Sequence, residues 1–194
     1  MLFMDSACLD FLNSEFRDFR GRWVRDDLLQ PDWLEQFLAR WGLQVAAPLD
    51  PATLEALLAL RALLTRVVDD LASDSQPSPA DLETMNVFML KVPLGRHLKL
   101  VGKQYGLELV PLKKDWDWVQ AEIVASFADL LTNYDLRRIK ICANAHCRSV
   151  FYDESKSRTR RYCTIDKCAN LVKVRRFRAR HKISTKKEQP LAEQ

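Results

Sequence analysis

The spacing of apolar side chains divides the chain into a helical majority, one β-like stretch and a polar end. Leu9, Phe11 and Leu12 alternate with polar Asp10 and Asn13, which fits a short helix. RDFRGRWVRDDLLQ follows with no period and is expected to be loop. Behind Asp32, Trp33, Phe37, Leu38 and Trp41 recur at helical spacing, and Gly42 is placed to end that helix. DPATLEALLALRALLTRVVDDLA gives the strongest periodicity, with Asp50 as cap and Pro51 at the first helical position. Ser78 and Pro79 repeat that signal for a helix over Pro79–Leu90. The runs Leu98–Val101 and Leu107–Val110 flank Gly102 and Gly106 and predict a β-hairpin. Asp115 then caps a helix over Trp116–Tyr134 that turns Val119, Ile123, Phe127, Leu130 and Leu131 inward.

Composition adds little until position 137, where it changes sharply. Residues 1–136 hold 13 Lys/Arg against 21 Asp/Glu, whereas residues 137–187 hold 17 against 3. This divides the chain into an acidic domain, 1–136, a basic module, 137–185, and a polar tail, 186–194, expected to be disordered. So basic a block calls for an anionic partner, and nucleic acid is the commonest of that kind. No run of 18 apolar residues is present, so no membrane span is expected. The first residues lack a basic leader, and the expected location is the cytoplasm.

The basic module also holds four of the five cysteines, in the pattern C-x4-C-x15-C-x4-C: Cys142, Cys147, Cys163 and Cys168. Two short-spaced thiol pairs on either side of a longer stretch are what a tetrahedral Zn²⁺ site requires. A reducible disulfide pair is the alternative, and His146 is an alternative ligand inside the first pair. The module has few apolar residues and needs a staple to fold. Four thiolates close the shell, so the metal is structural rather than catalytic. SVFYD and RRYC are expected to pair as a hairpin, followed by a helix carrying Cys168, a treble-clef-like arrangement. Along that helix Lys173, Arg176 and Arg180 lie on one flank, and Arg175, Arg178 and Lys182 on the other. With Arg158, Arg160 and Arg161 they form the expected DNA-binding set.

These residues resemble the CGNR zinc-finger family, whose N-terminal region is called ABATE. The resemblance rests on the four cysteines, Phe151-Tyr152-Asp153, Ser155, Arg160-Arg161-Tyr162-Cys163 and Cys168-Ala169-Asn170-Leu171, with Leu9-Asp10-Phe11-Leu12-Asn13-Ser14 at the other end. The naming tetrapeptide is altered: its glycine is Ala169 and its arginine is Leu171, so that arginine's role is lost or moved to Lys173. Tyr162 stands for a tryptophan. The resemblance implies a bacterial transcription regulator with an N-terminal sensing domain.

The acidic domain offers little catalytic chemistry. The chain has three histidines, His97, His146 and His181, and no phosphate-binding or nucleophile-elbow motif. It is expected not to be an enzyme. Asp10, Asn13 and Trp23 are the candidate ligand-binding residues for a small-molecule effector, against the alternative that they are caps or core. Cys8 is expected to be a buried inert thiol. The overall expectation is α+β: a mostly helical N-terminal domain with one β-hairpin, plus the four-cysteine finger. The function expected is a DNA-binding transcription regulator whose first domain senses an effector or forms a homodimer. An RNA-binding protein, with Phe151, Tyr152 and Tyr162 stacking bases, and a zinc-stapled protein-interaction module are the alternatives.

Overall fold

The Asp50 carboxylate accepts from Thr53 N at 2.7 Å and starts α3, Pro51–Ala72, with Pro51 where no intrahelical N–H is needed. This helix is the axis of the computed structural model, which describes residues 6–45 and 47–187, with side chains as far as His181. Leu57, Leu60, Leu64, Val67 and Val68 of α3 are fully buried. Each such side chain contributes about 1.5–3 kcal/mol by leaving water. Against α3 lie α1, Ala7–Leu12, and α5, Trp116–Asn133, which Asp115 caps through Trp118 N. Phe11, Ile123, Phe127 and Leu130 fill the space between them. α2, Pro31–Trp41, ends at Gly42 in the left-handed region (φ 65°), as its sequence predicts. α4, Pro79–Leu90, starts at the Ser78 cap and packs on α5.

Among the described residues, three two-stranded antiparallel sheets complete the fold. β1, Glu15–Arg17, and β2, Val24–Asp26, pair within the stretch expected to be loop. The pattern hid them because each strand has only three residues and is mostly polar. Arg61 of α3 fixes β2 in place. Its guanidinium donates to both Asp26 oxygens and to Ser14 Oγ at 2.8 Å. β3, Leu94–Val101, and β4, Gln104–Pro111, form the expected hairpin, turning at Gly102 (φ 64°), the residue a two-residue type II′ turn requires first.

The third pair corrects the expected strand pairing. β6, Val150–Tyr152, pairs with β5, Ile139–Ile141, and residues 160–163 form no strand. The Cys142–Cys147 loop is short enough to fold β5 back onto β6, with Cys142 N donating to Ser149 O at 2.9 Å. Ile139 and Val150 enter the main core beside α3 and α1, which explains how a module with few apolar residues is supported. A π-helical turn, Ile165–Ala169, then leads into α6, Asn170–Lys187. Residues 188–194, most of the expected disordered tail, lie outside the described residues.

Candidate metal centre and nucleic-acid interface

Cys142 ends β5, and the loop it opens curls on itself: Cys147 N donates to Asn144 O at 2.8 Å, and Arg148 takes the left-handed conformation at φ 53°. That curl points both thiols of the first pair the same way. Cys168 lies in the π turn, where Ala169 N reaches Thr164 O at 3.1 Å and widens the helix at its start. Cys163 lies in the loop just before it. The four Sγ atoms all fall within 4.8 Å of one another, and none is in a disulfide. Cys163 Sγ is 3.6 Å from that of Cys147 and 3.8 Å from that of Cys168. A tetrahedral site with metal–sulfur bonds of about 2.3 Å has sulfur–sulfur edges of roughly 3.8 Å, so the four thiols fit a single such ion. His146 is exposed on the outside of the loop and is not part of the cluster.

Hydrogen bonding among the thiols drives their acidities apart. Contact with Cys142 and Cys163 holds the Cys147 thiol far below its ordinary value, and contact with Cys142 and Cys147 pushes Cys163 far above it. Burial pushes Cys168 up to about 12, despite the Asn144 amide beside it. Without a metal Cys163 and Cys168 keep their protons, and four thiolates at this separation would need a divalent ion among them.

Two layers of side chains hold this cluster. Asn144 is buried; its amide donates to Phe19 O at 2.7 Å and lies 3.5 Å from Cys168 Sγ. Phe19, from the β1–β2 turn, packs on the cysteines with Phe151 and Tyr162. In that turn Gly21 has φ 81°, and a Cβ there would meet His146 Nδ1 at 2.5 Å. The second layer centres on Asp153, which is fully buried. It accepts from Lys140 Nζ at 2.6 Å, Ser155 Oγ at 2.6 Å and Arg160 N at 3.0 Å. Burial alone would raise its pKa, but these donors hold it at about 2. Lys140 also reaches the carbonyls of Arg158 and Arg160, so this network shapes the loop that delivers Cys163.

The nine expected DNA-contacting residues fall into separate groups. Arg160 donates to the carbonyls of Tyr162 and Cys163 and lies over the Phe151 ring at 4.9 Å. Arg158 is ion-paired with Asp135 at 2.9 Å. Arg161 is exposed, as are Lys173, Arg175, Arg176, Arg178 and Arg180 along α6. The Lys182 side chain lies outside the described residues. The apolar side of α6 is open, with Phe177 57% exposed and edge-on against His181. The expected base-stacking platform is closed: Phe151 is buried and Tyr152 packs on Tyr134.

The expected ligand-binding residues are only partly together. Asp10 and Asn13 line a cavity of about 270 Å³ against α2, but Trp23 does not. Asp10 accepts from Trp41 Nε1 at 3.1 Å and pairs with Arg40. The Asn13 amide bonds to both Val150 N and Val150 O at 2.9 Å, tying α1 to β6. Trp23 is half exposed and lies against Phe16. A larger cleft, of about 1160 Å³, opens between the end of α3 and the finger, lined by Asp69, Asp74, Lys140, Arg148 and Arg161 among others. Cys8 is fully buried, with its thiol 2.9 Å from Ser6 Oγ.

Sequence reasoning missed Asn144, Phe19 and the Lys140–Asp153 pair. The only signal for Asn144 was a polar residue that can fold back on its own loop, placed between two ligands.

A mixed helical and β body carrying a four-thiol metal site at a hairpin–helix junction defines a zinc-finger protein. The family model for the CGNR zinc finger matches residues 138–181. The ABATE model, described as "Putative stress-induced transcription regulator", matches residues 5–134, more than half of the chain. The chain therefore belongs to the ABATE family and carries a CGNR zinc finger. Neither description is of an enzyme. The chain matches none of the curated proteins. No described helix is long and apolar enough to cross a membrane.

Proposed function

We propose that the chain is a transcription regulator that binds duplex DNA through α6, and that Cys142, Cys147, Cys163 and Cys168 hold a Zn²⁺ ion that fixes the start of that helix. The observation that carries this reading is α6 itself. From Lys173 to His181 every residue is exposed, and the segment holds five Lys/Arg and no acid. With no acid at i±4, Lys173, Arg175, Arg176 and Arg178 repel one another unless phosphates lie alongside. The zinc supplies folding energy, on the order of 10 kcal/mol, and no catalytic chemistry, because its shell is closed. Arg158 and Arg160 belong to the scaffold in this reading, and the working set is Arg161, Lys173, Arg175, Arg176, Arg178, Arg180 and Lys182. An effector in the cleft between α3 and the finger would touch both regions, which is the arrangement a sensing domain needs.

Equilibrium binding of the zinc-loaded chain to duplex DNA, followed by fluorescence anisotropy across salt concentrations, tests the reading. Affinity is expected to fall steeply, with log K against log[salt] sloping at about −0.9 per phosphate neutralised. Single-stranded RNA of matched length is expected to compete poorly. Binding indifferent to salt, or a preference for the RNA, would overturn the proposal.

A further inference from the structure

The β3–β4 hairpin leaves in water a face that is apolar but for Arg96. Its register puts Leu94, Leu98 and Leu100 on the same face as Tyr105, Leu107 and Leu109. All six are exposed, by 51–80% of their surface. The opposite face carries His97, Lys99 and Glu108, which pair with one another. A two-stranded hairpin alone is marginally stable in water and needs cover on its apolar side. Among the described residues, all six of these side chains stay exposed.

The neighbouring helix has the same property. Met85 is the buried residue of α4, yet Leu82, Val87 and Leu90 are exposed on its other sides. A helix apolar on more than one face is covered on more than one face. Glu83, Val87 and Leu90 fall at i, i+4 and i+7 and form one stripe.

The charges of the two surfaces are opposite. On the apolar face and the turn of the hairpin the charged residues are Arg96 and Lys103, since Lys99 and Glu108 pair on the opposite face. On the α4 stripe the charged residue is Glu83, and Asp81 of the same helix is ion-paired with Arg66. We propose that two copies of this chain associate about a two-fold axis, the hairpin of each lying on the α4 stripe of the other. Both complementary surfaces are on one chain, so two copies satisfy each other with a closed, isologous contact. Each copy would bring to the contact six exposed hairpin side chains together with Val87 and Leu90, and a standard interface takes about 800 Å² from each partner. The contact makes no use of the finger and stands apart from the DNA reading.

The test is the mass of the full-length, metal-loaded chain in solution without DNA, by light scattering at micromolar concentration. Twice the single-chain mass of 22.5 kDa is expected. Leu100→Glu with Leu107→Glu alters only exposed side chains. This double variant is expected to bring the mass to that of one chain, weakening association at least 10-fold per substitution, with unchanged circular dichroism. Zero-length carbodiimide cross-linking of mixed isotope-labelled and unlabelled chains is expected to join Lys103 of one copy to Glu83 of the other. A single-chain mass for the unaltered protein would overturn the proposal and leave the face to a different protein. So would a dimer that survives the double variant, or cross-links confined to hairpin against hairpin.

Discussion

Single residues of the family pattern turn out to have mechanical explanations. Asn13 pairs with Val150 as a neighbouring strand would, Asp153 gathers the loop before Cys163, and Arg160 bonds the carbonyls beside that ligand. Asn13→Ala removes both bonds to Val150, whose N–H is then left unmet, and is expected to cost about 1–3 kcal/mol in denaturant unfolding. Arg160→Ala and Arg176→Ala remove the same charge and are expected to behave oppositely. The first lowers zinc-loaded stability; the second leaves stability alone and makes the salt slope of DNA binding shallower by about 1. The sequence showed both arginines but not this division, because a basic run looks the same whether its cations meet carbonyls or solvent. Leu171, where the family has arginine, is half-buried in the first turn of α6.

Among elements, caps and proline made α3, α4 and α5 legible to within a residue or two, because Asp50, Ser78 and Asp115 each meet the N–H three residues on. The β1–β2 hairpin was not legible, since its order comes from tertiary partners, chiefly Arg61 on Asp26. That ion pair makes a prediction on pH. Burial would raise the Asp26 pKa, but Arg61 holds it below the usual carboxylate range. The stability it contributes is therefore present above about pH 4 and is lost as pH falls through the lowered value. Asp26→Asn is expected to destabilise by about 3 kcal/mol at pH 7, and by progressively less below pH 4 as the native carboxylate protonates, read from unfolding midpoints across pH. The pairing of β5 with β6 was also hidden: the expected hairpin matched strand to strand by composition, whereas the cysteine loop set the closure.

At the scale of the whole molecule, the acidic and basic halves meet through particular pairs, Arg148 with Asp69 and Arg158 with Asp135. The charge asymmetry was legible in the sequence; which cations it leaves for a partner was not, because that depends on which carboxylates the fold brings near. The α+β class and the clustering of four thiols were equally legible, the first from periodicity and the second from spacing. The support of the finger by the N-terminal core was not, since Ile139 and Val150 carry no pattern that points across the chain. That shared core predicts a partial response to metal removal. The helices around α3 should persist, while the cysteine loop and the start of α6 lose their anchor.

DNA affinity of one preparation, measured zinc-loaded, after chelation and after zinc is restored, tests the central claim most directly. The account predicts one zinc per chain, loss of duplex binding on its removal with most helical circular dichroism retained, and recovery when zinc returns. Equal binding by the metal-free chain, or no binding by the zinc-loaded one, would contradict it.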